Sequence, residues 1–275
     1  MNYRATAALP RNDRVIAVLS PAKTLDLETP LPGGAATEPR FAADAARLAK
    51  AAARLTPAAL RRLMHISPAL AKLNADRFKA FDTAAAPSAT RPALFTFAGD
   101  VYAGLRGPEM DTATRDFAQD HVRLLSGLYG VLRPLDAMQP YRLEMGIDFG
   151  VGRAKTLYAF WGDRIAGALA DDLAGHSDAT LINLASIEYF GAVKVAKLPA
   201  RVLAIDFRDN HDGNLRFNTF VAKRARGAMA RFLCEQRLDR PDGLKEFAED
   251  GYRFVASGSD DDRWLFVRKA KSAAQ

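Results

Sequence analysis

The sequence predicts an α+β fold, one mixed-sheet domain wrapped by helices, and three observations carry that prediction. Short apolar, β-branched runs such as Val15-Ile16-Ala17-Val18-Leu19 recur along the chain at strand length. Between them lie segments with apolar residues at helical spacing, several opened by Ser or Thr directly before proline. No repeat, low-complexity tract or clean linker divides the 275 residues, a length that one well-buried domain can fill.

The elements follow in order. Residues 1–14 contain no long apolar core of a secretion signal and read as a flexible N-terminal extension, leaving 15–275 as the domain. Residues 15–19 form a strand that runs into Ser20-Pro21-Ala22-Lys23-Thr24. A Pro/Gly-rich connection, TPLPGGAATEP, leads to RFAADAARLAKAAARL, where Phe41, Ala45, Leu48 and Ala52 share a helix face. Thr56-Pro57 and Ser67-Pro68 pair an N-cap with proline at the first helical position and open further helices. ALFTFAGDVYAG reads as a strand closed by a Gly-Asp turn. Asp111 caps a helix expected to reach Leu125, where SGLYGVLRP ends it.

Farther on, PYRLEMGIDFG reads as extended, TLYAFWGDRIAGALADDLA as helical and ATLINLAS as a buried strand. RVLAIDFRD and NLRFNTFVA are expected to pair around NHDGN, a turn signal. AKRARGAMARFLCEQRL is helical, and YRFVAS with RWLFVRK forms a closing hairpin.

Composition narrows the function. About half the residues are apolar (49%) and a quarter charged (26%), as in ordinary soluble proteins. The formal charge of +7 favours a polyanionic partner, nucleic acid first. The single cysteine, Cys234, excludes an intramolecular disulfide and a Cys-rich zinc site, and fits a reducing compartment. No apolar run reaches the roughly 18 residues of a membrane span. His65, His121, His176 and His211 are scattered without ligand spacing, so no metal or cofactor is expected.

Lys23 admits several readings. AKT after a strand suggests the end of a phosphate-binding loop, but Leu19, Ser20, Pro21 and Ala22 supply no glycine and Pro21 lacks an N–H. Ser20-x-x-Lys23 also fits a serine nucleophile activated by lysine, yet the chain offers Lys155-Thr156-Leu157 and no S-D-N element. Otherwise Lys23 is a solvated residue after a Ser20-capped turn, or an anion contact at a strand end.

SPAKTLD, GDVYAGL, LLSGLYGVLRPLDAMQPYRLEMG, FWGDRI, INLASIEYF and AKRARGAMARF occur in this order. Together they closely resemble the YaaA family of bacterial peroxide-stress proteins, over nearly everything from Val15 to the final strand. The resemblance implies a cytoplasmic protein of the hydrogen peroxide response that limits free iron. It also implies DNA binding through a positively charged cleft and a helix-hairpin-helix-like element, in an unusual mixed fold. Residues 1–14 lie outside the family pattern, and Ile187 stands where a polar residue is expected. Ser186 and Glu188 are therefore carried over as motif positions without a role.

Two segments could supply the DNA contacts. On a helical wheel of residues 220–238, Val221, Ala225, Ala228, Met229, Phe232 and Leu233 face one way. Lys223, Arg224, Arg226, Arg231 and Arg237 face the other, with no acid before Glu235. Such a helix could bury one face and offer phosphate contacts with the other, or form ion pairs within the protein. The second segment is HVRLLSGLYGVLRPLD. Gly127 and Gly130 bracket Leu128-Tyr129 as a candidate hairpin, with Arg123, Arg133 and Arg142 around it. A helix C-cap and a structural turn would explain the same residues. With Lys23, these make up the expected DNA-binding set.

The alternative is an enzyme acting on nucleic acid or a nucleotide. It would require Lys23 to converge with Asp100, Glu144 or Glu188 in one pocket.

Overall fold

The computed structural model describes residues 14–82, 85, 89–174 and 179–270; the expected extension lies almost wholly outside them, as does His176. Strand β1 (Arg14–Leu19) sets the architecture, because Val15, Ile16, Ala17, Val18 and Leu19 are all fully buried. A continuous apolar run of this kind has to be covered on both faces. It sits inside an eight-stranded sheet, flanked in parallel by β5 (Val122–Ser126) and β8 (Ala179–Asn183). Beyond β8 follow β9 (Arg201–His211) and β12 (Arg263–Lys269), also parallel. Antiparallel strands complete the sheet: β6 (Gly130–Leu132) on β5, β10 (Asn214–Arg216) on β9 and β11 (Arg253–Phe254) on β12. Two small pairs lie apart, β2 (Thr24–Leu25) with β4 (Phe97–Ala98) and β3 (Arg91–Pro92) with β7 (Ala137–Met138).

The helices are α1 (Ala42–Ala52), α2 (Pro57–Met64), α3 (Pro68–Lys79), α4 (Ala93–Thr96) and α5 (Asp100–Leu105). They continue with α6 (Thr112–His121), α7 (Leu157–Trp161), α8 (Arg164–Leu173), α9 (Ile187–Phe190) and α10 (Thr219–Glu235). The expected caps are present. Thr56 Oγ1 accepts the Ala59 N–H at 3.2 Å, Ser67 Oγ that of Leu70 at 3.3 Å, and Asp111 Oδ1 that of Thr114 at 2.7 Å. The mixed α and β architecture and both predicted hairpins, β9–β10 and β11–β12, match the sequence.

Among the parallel strands the spatial order is β5-β1-β8-β9-β12, which in chain order is second, first, third, fourth, fifth. The connections leaving β1 and β8 therefore run to opposite sides of the sheet. In open parallel sheets, this topological switch is where a crevice opens beyond the carboxyl ends of the strands.

Five expectations need correcting. Helix α6 ends at His121, and Val122 to Ser126 become β5 because that apolar run pairs with β1, Ala17 opposite Val122. SGLYG consequently joins two antiparallel strands, so no helix-hairpin-helix exists at Gly127 and Gly130. Both glycines are packing requirements. A Cβ on Gly127 would lie 2.1 Å from the Leu143 carbonyl oxygen, and Gly130 has φ +69° against the Trp161 ring. ALFTFAGDVYAG is helix α4, the short β4 and helix α5, not one strand. PYRLEMGIDFG contains no strand, and NLRFNTFVA leaves its strand at Arg216, after which Asn218 caps α10.

Candidate functional site

The loops following β1 and β8 meet at the switch point. Ser20 Oγ accepts the Ser186 N–H at 2.9 Å and donates to Ser186 Oγ at 3.2 Å, while Tyr102 donates its hydroxyl to the Ser20 carbonyl at 3.2 Å. Ser186 also caps α9 by accepting the Tyr189 N–H. Glu188 Oε1 accepts the Gly146 N–H at 3.0 Å, tying α9 to the loop that carries Glu144.

Lys23 reaches into this arrangement. Its Nζ lies 3.3 Å from Glu144 Oε1, with the lysine side chain 65% exposed and the glutamate 8% exposed. Arg142 grips the same oxygen with Nε at 2.9 Å and Nη2 at 2.8 Å. Glu144 Oε2 is buried and has no hydrogen-bond partner. Lys23 thus faces an anion of its own chain, and Ser20 pairs with Ser186 and not with Lys23. Tyr102, Tyr141 and Tyr189 lie close by, and burial raises all three hydroxyls above the ordinary tyrosine range and keeps them protonated. Asp100 opens α5 and does not join Glu144 and Glu188 in a metal-ligating group among the described residues.

The other expected residues are held mostly by the protein itself. Arg123 is 4% exposed in β5, and its Nε donates to Asp172 Oδ2 at 2.7 Å. Burial acts against the Asp172 charge, but the Arg123 hydrogen bond and the nearby Arg40 hold its carboxyl below the usual range. Arg133 pairs with Asp136, Arg224 with Asp250, and Arg231 with Glu235 and Glu109. Arg237 donates to the Ala113 carbonyl at 2.6 Å and lies over the Phe117 ring. Arg226 lines the same cleft as Asp206. Lys223 is exposed and carries no ion pair among the described residues.

Further cations without an ion pair among the described residues stand near the connection between α2 and α3. Helix α2 ends at His65 in the left-handed region, φ 50° and ψ 50°, and the Arg61 carbonyl accepts both the His65 and Ile66 N–H groups. Ile66 is buried beneath the turn, and Ser67 immediately starts α3. The result is helix, three-residue turn, helix, with His65 and Ser67 exposed. Arg61 and Arg62, in the last turn of α2, stand beside it, exposed and without an ion pair among the described residues, and Arg54, likewise exposed and without one, precedes the other end of α2. Ser67-Pro68 signals the second helix. No glycine marks the turn, because His65 adopts the left-handed conformation instead.

A family model described as peroxide stress protein YaaA matches residues 15–258. The chain belongs to that family. It is 51% identical over 255 residues to a UPF0246 protein of Rhizorhabdus wittichii, covering 92% of this chain and 99% of the relative. UPF0246 proteins of Burkholderia mallei and Burkholderia pseudomallei are 50% identical over 258 residues, covering 93% of this chain and 99% of each relative. Within this YaaA-family chain, no helix among the described residues is long and apolar enough to cross a membrane.

Proposed function

We propose that this protein acts in the cytoplasmic response to hydrogen peroxide by binding DNA through its phosphate backbone, without reading bases. The observation that supports this reading is the pair Arg61 and Arg62, exposed and without an ion pair among the described residues, in the last turn of α2 beside the turn into α3. A buried apolar residue, Ile66, anchors that turn while His65 and Ser67 stay exposed, and the arginine side chains beside it would supply the phosphate contacts. On this reading α2–α3 would serve as the DNA-contacting element, in place of the segment expected around Gly127 and Gly130, which joins strands β5 and β6. The surplus of +7 supports the same electrostatic reading. Occupying the duplex would limit iron-mediated damage without any iron site on the protein.

The experiment is peroxide survival of a strain lacking the gene, complemented with wild type or with Arg61→Ala/Arg62→Ala at equal abundance. Survival restored by wild type and lost with the double variant supports the reading. Equal protection by the two removes it.

A second reading, an enzyme acting on nucleic acid or a nucleotide, is favoured by one observation: Lys23 and Arg142 share Glu144 Oε1 and leave Oε2 buried without a partner. A buried carboxylate oxygen without a partner is open to a hydrogen bond from a substrate. Glu144→Gln keeps the shape and removes that acceptor. Cleavage of single-stranded, duplex or bulged DNA by wild type, abolished in Glu144→Gln, would favour the enzyme. Intact DNA in every lane would leave the binder.

A further inference from the structure

Beyond the carboxyl end of β8 the sheet steps back. Strand β8 ends at Asn183, opposite Ala204, whereas β9 continues to His211. Over this overhang lies a cleft of about 750 Å³, a size that suits a small organic ligand. It is lined by Ile187, Phe190 and Gly191 at α9, by residues of β9, and by Phe217 with Arg226 of α10.

The charge in this cleft is unbalanced. Arg208, Arg226 and Arg263 line it against one carboxylate, Asp206, a surplus of two positive charges. Arg208 Nε contacts both Asp206 oxygens, at 2.9 and 3.1 Å, and Arg263 contacts Oδ2. Arg226 has a buried Nε without a hydrogen-bond partner. Burial lowers its guanidinium pKa, and Asp206 only partly offsets this. An anion would satisfy it better than the shared carboxylate does.

Arg226 is also fixed in place. A Cβ on the neighbouring Gly227 would lie 1.7 Å from the Val101 carbonyl oxygen, so α10 is seated directly on α5. Part of the remaining lining is apolar. Phe217 is 47% exposed with the Arg208 guanidinium 5.5 Å from its ring centre, and Ile187, which also lines the cleft, is 95% exposed. Asn183 Oδ1 is held by the Ala185 N–H, which leaves the amide NH₂ as a donor for the ligand.

We infer that this cleft binds one nucleotide unit, its phosphate on Arg208, Arg226 and Arg263 and its base against Phe217. Guanidinium groups supply paired donors to phosphate oxygens, and an aromatic face stacks on any base. Such a unit can come from free mononucleotide or from a single-stranded nucleic acid. The site is separate from the α2–α3 turn and does not rest on the DNA reading.

Calorimetric titration of the full chain tests it, using thymidine 5′-monophosphate and adenosine 5′-monophosphate, with thymidine, inorganic phosphate and a thymidylate pentamer as comparisons. Both monophosphates should bind, with thymidine and phosphate alone weaker by roughly tenfold or more. Arg226→Gln and Phe217→Ala should each weaken the monophosphates by about tenfold. Phe217 is exposed, so its variant decides the question if Arg226→Gln fails to fold. The pentamer binding tighter than the monophosphates assigns the site to single strands; equal or weaker binding assigns it to free nucleotides. Arg61→Ala/Arg62→Ala should leave these titrations unchanged, which separates this test from the DNA reading. No binding of either monophosphate at millimolar concentration, or unchanged affinity in folded Phe217→Ala, overturns the inference.

Discussion

Ser20 and Ser186, 166 positions apart in the chain, place their hydroxyl oxygens 3.2 Å from each other. Through this contact and the Ser186 N–H, the loops after β1 and β8 are joined where the sheet changes direction. Ser20→Ala removes the acceptor of a half-buried N–H. We expect a loss of about 1–2 kcal/mol in urea unfolding. An unchanged midpoint would mean that the loops hold their positions without this bond.

Asp172 accepts from the buried Arg123 and the half-exposed Arg40. Asp172→Asn leaves the Arg123 charge in the protein without its counter-ion, and we expect a cost of about 3 kcal/mol. The pH dependence follows from the sign of the shift. The Asp172 carboxyl is lowered in the folded state, so its stabilisation is fully present above the unfolded value of about 3.9 and is lost as pH falls through the folded value. Wild type should therefore lose more stability below about pH 4 than Asp172→Asn does. Parallel acid unfolding curves would contradict the pairing.

Helix propensity and packing give opposite signs at Gly227. Propensity alone says that alanine in mid-helix stabilises by about 1 kcal/mol. The Cβ, however, would collide with the Val101 backbone, so Gly227→Ala has to push α10 off α5. We expect net destabilisation of about 2 kcal/mol or more, read from the thermal midpoint. A stabilised variant would show that the crossing is looser than described.

Cys234 is fully buried, and burial pushes its thiol up to about 12. The thiolate is the form that reacts with peroxide, and almost none is present at neutral pH. Native protein treated with hydrogen peroxide should show no oxygen adduct on Cys234 by mass spectrometry, whereas unfolded protein should. Stoichiometric sulfenic acid in the native state would make this cysteine a peroxide sensor.

Local signals made much of the fold legible. The apolar runs of β1 and β8, the caps at Thr56, Ser67 and Asp111 and the Asp212-Gly213 turn are all encoded within a few residues. The buried face of α10 was legible too, since Ala225, Ala228, Met229 and Leu233 all face the core. Its outer face was not. Arg224 and Arg231 find Asp250 and Glu109 on other elements, and no helical wheel shows a partner brought by the fold. Arg123 misleads for the same reason, because the Asp172 that neutralises it arrives with α8. The α2–α3 turn is hidden because His65 takes the conformation usually marked by glycine.

The most direct test of the central claim is duplex binding by fluorescence anisotropy across a salt series, for wild type, Arg61→Ala/Arg62→Ala and Lys223→Ala. Each phosphate contact contributes about 0.9 to the log–log slope of affinity against salt. Wild type should bind with a steep slope, and the double variant should lose about 1.8 of it, Lys223→Ala losing at most about 0.9. A wild-type slope near zero, or an unchanged slope in a folded Arg61→Ala/Arg62→Ala protein, would contradict the placement of DNA on the α2–α3 turn.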